Sequence, residues 1–330
     1  MTRAKAGLTI SFAHIDDDGR EHEESQFVGE IDTEFTILKN MHDFEKNHES
    51  DLSKFLNASR SKSSLFEPEY LRQLFFKRGL NVSALNNYLS CPIKFLYRNL
   101  IQLPDVSSSA QRYGNIIDIA LNNFFKKSKQ EEKILSKEVF MAEFEKSLSD
   151  YNVSEKEEEK FHERGEQAMS EYYDAYAKSW TAKVDAQKFT ERDFKLSNGD
   201  NLRLSGTVDK IEYLDDLFSP HIHVVDHKTG RAYSEKTKEE KENYERQLVF
   251  YKLLLENPGK EDFIVRNSTL DFIEKNKKGV FEQHDMEATK EDLDKLCAEI
   301  DNCADEVLSM KFLTMGCNKK DCEWCSLFKA

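Results

Sequence analysis

Four cysteines carry the clearest chemical signal in this sequence. Three lie near the C-terminus with the spacing C-x4-C-x2-C: Cys317, Cys322 and Cys325. The fourth is Cys91, far upstream in an L-S-C-P segment. Four thiolates suit either a structural zinc ion or an iron–sulfur cluster. Such a site requires the two ends of one domain to meet, and the bound metal would then add its binding energy to folding.

The alternative interpretation is a set of unrelated buried thiols, which the tight terminal spacing disfavours. Cys297 and Cys303 are different, because they lie six residues apart on a predicted helix. They fit the simpler interpretation, and we leave them out of the site.

Two aspartates and a lysine form a second candidate site on two predicted strands. Asp209 follows a G-T-V segment, and Asp226 and Lys228 lie two residues apart on the next strand. Strand side chains alternate, so Asp226 and Lys228 share one face, and strand pairing would bring Asp209 close. Carboxylates bind Mg²⁺ or Mn²⁺, which can generate hydroxide and hold a phosphate, while a lysine neutralises developing charge. A surface ion pair is the alternative for an isolated D-x-K.

Two predicted helices carry further candidates. Gln247 and Tyr251 are four residues apart and therefore share one helix face, where they could donate hydrogen bonds to a phosphate. Asp118 lies at the rim of an apolar stripe that contains Ile117 and Leu121. It is either a solvated residue or a third metal ligand.

The elements that position these residues predict a mixed α/β fold. Apolar periodicity predicts a helix with Ser83 as its N-cap, another that begins at Pro92, and helices at about 116–125, 136–182, 240–256 and 288–310. Runs of β-branched residues predict strands at about 187–196, 202–213, 221–228 and 263–274. The aromatic stripes within 136–182 are interpreted as core faces rather than base-stacking platforms.

Composition limits the class of protein. The chain has 330 residues, 33% of them charged and 38% hydrophobic, which suits one large globular domain with a smaller appendage. No apolar run approaches the roughly 20 residues that span a bilayer, and no secretory segment is evident. With apparently reduced cysteines, this predicts a cytoplasmic protein. The net charge of −14 argues against a general polyanion-binding surface but is compatible with local phosphate contacts.

Three segments are predicted from the change in composition along the chain. Residues 1–31 contain a short apolar strand and a D-G turn, residues 32–78 form a polar linker, and residues 79–330 carry the globular pattern.

Residues 79–330 resemble the iron–sulfur-containing PD-(D/E)XK nuclease domain of the RecB/AddB type. The motifs that carry the resemblance are, in order, the S-A-L to S-C-P stretch at 83–92, Gly114 with Asp118, Gly206 to Asp209, Val224 to Gly230, Gln247 with Tyr251, and the three terminal cysteines. The resemblance implies a restriction-endonuclease-like core, with a central mixed sheet flanked by helices and with helical insertions. It also implies metal-dependent cleavage of DNA phosphodiester bonds.

The resemblance implies roles for individual residues. Asp118, Asp209, Asp226 and the carbonyl of His227 would bind Mg²⁺ or Mn²⁺. Lys228 would be catalytic, and Gln247 and Tyr251 would contact the phosphate. A [4Fe–4S] cluster would be bound by Cys91, Cys317, Cys322 and Cys325, with structural zinc as the alternative. Asp118 departs from the family, which has histidine there. An aspartate can still bind a hard cation and makes the site all-oxygen.

Residues 1–28 resemble the last conserved stretch of a UvrD-like superfamily 1 helicase, through T-R-A-K at 2–5 and S-Q-F at 25–27. In that family Arg3 would sense a nucleotide γ-phosphate, but the chain has no phosphate-binding G-x-x-x-x-G-K-[ST] loop. The resemblance implies the C-terminal nuclease part of a helicase–nuclease in DNA repair or recombination, or a stand-alone descendant. Its partners would be DNA and a helicase domain or subunit.

Two other function classes remain open. One is a nuclease-like module that has lost cleavage and guides DNA, which Asp118 favours and the intact Asp209, Asp226 and Lys228 oppose. The other is a zinc-clasped interaction scaffold, which the net charge of −14 favours.

Overall fold

The structure is a computed structural model of the chain. It describes residues 67–330 except 105–106, 215–220, 258–260, 318 and 330, together with residues 10, 28, 30–31, 33–35 and 37. The chain divides into two compact units, residues 1–62 and 63–330. The predicted helicase-like strand and turn and most of the predicted linker lie outside the described residues, so those predictions stay untested.

Helices dominate the first half of the larger unit. They are α1 (Pro68–Arg78), α2 (Val82–Ser90), α3 (Pro92–Phe95), the π-helical continuation Leu96–Ile101, α4 (Ser109–Gln130), α5 (Lys137–Ser149) and α6 (Glu155–Tyr176). Helix α1 falls within the predicted polar linker, yet Leu71, Leu74 and Phe75 are buried in the core. The globular unit therefore begins before residue 79, because a short apolar stripe ends the polar segment.

Helix starts follow local capping chemistry. Helix α2 begins at Val82 rather than after Ser83, since the side chain of Asn81 accepts a hydrogen bond from the Ala84 amide at 2.8 Å. The N-cap is therefore Asn81, two residues before the predicted Ser83. Pro92 opens α3, where its missing N–H costs nothing.

A five-stranded mixed sheet forms the centre of the unit. Its strands are β1 (Val184–Lys195), β2 (Asn201–Tyr213), β3 (His221–Lys228), β6 (Ile264–Phe272) and β7 (Gln283–Met286), in the order β1-β2-β3-β6-β7. Within this sheet, as far as the structure describes it, β3 and β6 pair in parallel and the other neighbouring strands pair in antiparallel. The crossover between them contains α7 (Lys238–Leu255) and a ribbon of β4 (Glu256–Asn257) and β5 (Glu261–Asp262).

Helices cover both faces of the sheet. Helix α7 packs on one face through Leu248, Tyr251 and Leu255, and α4 to α6 build an aromatic core on the other. In that core Phe140, Phe144 and Tyr172 have no exposed surface, which confirms that the aromatic stripes are core faces. The chain ends with α8 (Lys290–Leu308) and α9 (Glu323–Lys329). The predicted fold class, a central mixed sheet flanked by helices, is confirmed.

No helix among the described residues is long and apolar enough to cross a membrane.

A glycine lets α6 lie directly against α5. A Cβ at Gly165 would stand 2.1 Å from Cζ of Phe144, which is fully buried. Gly165→Ala should lower the free energy of unfolding by about 1–3 kcal/mol. The loss should occur even though alanine is the better helix former by about 1 kcal/mol.

Urea unfolding of Gly165→Ala checks this prediction, with Gln167→Ala, an exposed position on the same helix, as the control. Equal or higher stability of Gly165→Ala would contradict close packing of the two helices.

Candidate active site and cysteine centre

A buried carboxylate connects β3 to α7. Asp226 is 1% exposed, and its Oδ1 accepts hydrogen bonds from Gln247 Nε2 at 2.9 Å and from Tyr251 Oη at 3.1 Å. Gln247 Nε2 also lies 2.7 Å from Tyr251 Oη. Oδ2 receives no aligned hydrogen bond from the described residues, and the Lys228 ammonium is its ion-pair partner at 2.5 Å. The predicted four residues therefore meet, with Gln247 and Tyr251 directed at the carboxylate.

Lys228 is held as an ammonium ion. Its Nζ donates to Gln247 Oε1 at 3.0 Å and lies 5.0 Å from the ring centroid of Tyr244. Burial alone would lower the pKa of Lys228, but the charges of Asp226 and Asp209 outweigh that effect and raise it. The amine thus keeps its proton and its positive charge at neutral pH.

Asp209 lies on β2, which pairs with β3 in antiparallel register. Its Oδ2 accepts a hydrogen bond from the main-chain N–H of His227 at 3.0 Å. Burial, with the charges of Asp226 and Asp118, raises the pKa of Asp209 well above its usual range. The predicted approach of Asp209 to Asp226 is therefore present in the structure.

Asp118 completes a group of three carboxylates. It lies on α4, and burial together with the charge of Asp226 raises its pKa from 3.8 to about 7, while Lys228 opposes the shift. The Asp118 side chain is partly buried rather than fully exposed. The three acidic side chains repel one another in a site that is largely shielded from water.

His227 presents its ring to the opposite face of the sheet. The ring stacks on Phe125 with centroids 6.2 Å apart and planes 6° apart. Burial, with the nearby charge of Lys210, lowers the pKa of His227 well below its usual range, so the imidazole is neutral. The ring is therefore no part of the carboxylate group, and only the main chain of His227 reaches Asp209.

A small pocket opens at this site, and it is lined by Asp118, Leu121, Asn122, Phe125, Gln187, Asp209 and His227. Two of these residues, Asn122 and Gln187, are absent from the sequence-based site. Asn122 lies four residues after Asp118, so helical spacing could have identified it. Gln187 carries no such signal, because its placement depends on a backbone conformation that its residue type does not indicate.

The four predicted cysteines converge. Cys91 Sγ lies 3.6 Å from Cys325 Sγ and 3.8 Å from Cys322 Sγ, and Cys317 Sγ lies 3.7 Å from Cys325 Sγ. All four sulfur atoms lie within 4.8 Å of one another. Cys303 is instead buried in the core, outside this group. The junction of α2 and α3 thus meets the C-terminal tail, as the spacing predicts.

The spacing of the sulfurs is compatible with metal binding. Four thiolates bound tetrahedrally to zinc at about 2.3 Å lie about 3.8 Å apart. The shortest three separations, 3.6, 3.7 and 3.8 Å, match that geometry. In a [4Fe–4S] cluster each cysteine binds a different iron at a corner of a cube, which separates the sulfurs more widely. The four thiolates therefore form a set that can bind a metal centre of either kind.

Comparison with known proteins gives a family match. Residues 79–328 match the family described as the PD-(D/E)XK nuclease superfamily. No curated protein matches the chain. Among solved structures, a candidate exonuclease from Eubacterium rectale is 11% identical, with 82% of this chain and 94% of that chain covered and a TM-score of 0.46. The structure of SSO0001 is 13% identical, with coverage of 74% and 85% and a TM-score of 0.28.

The pKa of Asp118 makes stability depend on pH when no metal is bound. Folded Asp118 titrates at about 7 instead of 3.8, so it keeps a proton that the unfolded chain has already lost. Stability therefore falls as the pH rises from the lower value to the higher one. In the presence of a chelator, Asp118→Asn should remove this part of the decline and should melt a few degrees above the parent at about pH 8.

Melting temperatures of both proteins between about pH 5 and about pH 8 test this expectation. Parallel curves for the parent and Asp118→Asn would show that Asp118 titrates normally in the folded protein.

Proposed function

The chain belongs to the PD-(D/E)XK nuclease superfamily, and we propose that it hydrolyses DNA phosphodiester bonds with Mg²⁺ or Mn²⁺ as cofactor. The observation that carries the proposal is the gathering of Asp118, Asp209 and Asp226 beside the Lys228 ammonium. Buried carboxylates at this density repel one another, and a divalent cation relieves that repulsion.

The residues present fit a hard divalent ion. The proposed ligands are the carboxylates of Asp118, Asp209 and Asp226 and the main-chain carbonyl of His227, all of them oxygen donors. Asp226 Oδ2 contacts the Lys228 ammonium at 2.5 Å and receives no aligned hydrogen bond from the described residues, so its second lone pair can face a cation. When bound, the ion supplies a lowered water pKa and Lewis-acid polarisation of the phosphate.

The remaining side chains position charge. Gln247 and Tyr251 hold Asp226 Oδ1 from α7, which fixes the direction of Oδ2. Lys228, restrained by Asp226 and Gln247, presents a permanent positive charge that stabilises the phosphoryl oxygens as they become more negative. A direct contact of Gln247 and Tyr251 with phosphate stays a prediction, since their polar atoms are engaged within the site.

A cleaving enzyme accounts for more of the structure than the two alternatives. A DNA-guiding module has no need of a buried ammonium within 2.5 Å of a carboxylate that also faces two others. A zinc-clasped scaffold needs the cysteines but leaves the carboxylates unexplained. Partnership with a helicase, a role in DNA repair or recombination, and a cytoplasmic location are proposals that rest on the sequence alone.

We further propose that the cysteine centre binds a structural metal ion that joins the start of the domain to its tail. The family resemblance implies a [4Fe–4S] cluster, whereas the spacing of the sulfurs supports zinc. A closed zinc site adds its binding energy to the folded state and has no open position for chemistry.

Removal of either half of the D-x-K pair should abolish cleavage. Asp226→Asn and Lys228→Ala should each lower Mn²⁺-dependent hydrolysis of DNA by at least about 10²-fold, because one removes the negative charge of a ligand and the other removes charge stabilisation. Matched controls are Asp294→Asn and Lys295→Ala, both exposed on α8. Circular dichroism verifies folding, and parental rates in both site variants would place the active site elsewhere.

Metal analysis of anaerobically purified protein tests the cysteine centre. We expect about one zinc per chain and no visible iron–sulfur absorbance. Cys322→Ala should lose the metal and lower the melting temperature, whereas Cys297→Ala, outside the cluster, should keep the metal. Iron and inorganic sulfide in a brown protein would instead establish the cluster and refute zinc.

A further inference from the structure

One wall of the pocket consists of two carboxamide side chains to which the proposed mechanism assigns no role. Asn122 lies one helical turn after Asp118 on α4, and Gln187 lies on β1. Asn122 Nδ2 donates a hydrogen bond to Gln187 Oε1 at 3.0 Å. Both residues line the pocket with Asp118, Asp209 and His227.

The backbone of Gln187 is strained at the position that faces Asp209. Its φ is +49°, in the left-handed region that non-glycine residues disfavour. On β1 and β2, Ala186 pairs with Lys210 and Lys188 pairs with Val208, so the register is unchanged while the intervening residue leaves the ladder.

The strained backbone of Gln187 is informative because the residue lies within a strand. The other non-glycine residues with positive φ in the described part of the chain are Gln102, Glu132 and Met310, and each follows the end of a helical segment. Left-handed residues are common at helix ends. Within a strand the same conformation has no such explanation, and strained residues of this kind cluster at functional sites.

The hydrogen-bond inventory indicates what the pair can bind. Because Asn122 spends its Nδ2 on Gln187, its Oδ1 is a buried acceptor, and no described residue donates to it. A phosphate oxygen is itself an acceptor and cannot satisfy this atom. A water bound to a cation is a strong donor, and the cation would lie beside the carboxylates of the same pocket.

We propose that Asn122 Oδ1 accepts a hydrogen bond from a water in the shell of the cation held by Asp118 and Asp209, and that Gln187 fixes Asn122 in that orientation. The proposal rests on the proposed function and extends it to two positioning residues. Gln187 acts through Asn122, and the left-handed turn of β1 is the conformation that brings its amide to the pocket.

The test is the affinity for Mn²⁺ in the absence of DNA, measured by paramagnetic resonance titration. Asn122→Ala and Gln187→Gly should each weaken Mn²⁺ binding by about tenfold, the lower end of the effect of such outer ligand contacts. The double variant should be no weaker than Asn122→Ala alone, because Gln187 works through that residue. With DNA, kcat should fall while KM stays unchanged.

Two controls separate this role from folding. Asn123→Ala removes the neighbouring amide on α4, and Glu132→Gly relieves a left-handed residue at a helix end. Both should bind Mn²⁺ as the parent does. Gln187→Gly should also keep the stability of the metal-free protein, since glycine adopts positive φ without strain.

Each other outcome contradicts the proposal in a distinct way. Unchanged Mn²⁺ affinity in both variants would overturn it, and a raised KM for DNA in place of weaker metal binding would assign the pair to the nucleotide. Additive effects in the double variant would show that Gln187 does not act through Asn122. A parent protein that binds no Mn²⁺ would overturn the metal-dependent function together with this inference.

Discussion

The burial of one carboxylate constrains most of the active-site region. Asp226 is 1% exposed, and a buried charge is costly unless it is paired and hydrogen-bonded. Asp226 is paired with Lys228 on the same strand and hydrogen-bonded by Gln247 and Tyr251 on α7. Asp209 and Asp118 add charge of the same sign. The site thus gathers more carboxyl groups than its own lysine can neutralise once they ionise, which favours a cation over an internal ion pair.

The opposite face of the same strands is polar as well, and it contains a buried lysine paired directly with a glutamate. Lys210 is 2% exposed and lies 2.9 Å from Glu212, which also contacts His223 at 3.1 Å. Burial would raise the pKa of Glu212, but His223 and Lys210 lower it to about 2. The Lys210 ammonium also lies 4.5 Å from the ring centroid of Phe125. The Lys210–Glu212 pair therefore joins opposite charges within the protein, whereas the carboxylate group places three acidic side chains beside one lysine.

The parts of the site that the sequence could predict are those that depend on local spacing or on ligand chemistry. Alternation along β3 and helical spacing on α7 are local rules, so the shared faces of Asp226 with Lys228 and of Gln247 with Tyr251 followed from them. The convergence of Cys91 with the terminal cysteines followed from ligand chemistry. The conformation of Gln187 did not, because a strand pattern assigns ordinary dihedral angles to every residue. The capping of α2 by Asn81 and the sulfur separations likewise depend on which neighbouring groups pack together.

The cysteine centre and the carboxylate site meet on α7. Ser90, the last residue of α2, and Lys319 of the tail both contact Glu239 in the first turn of α7, at 3.3 and 2.8 Å. Further along α7, Arg246 donates to Asn86 of α2 at 2.8 Å. The next residue on α7 is Gln247, whose side-chain amide donates to the buried carboxylate of Asp226. Because α2 ends at the first cysteine ligand and the tail contains the other three, a metal there restrains both partners of this helix. The cysteine centre thereby supports the positions of Gln247 and Tyr251, which orient Asp226, although no cysteine lines the pocket.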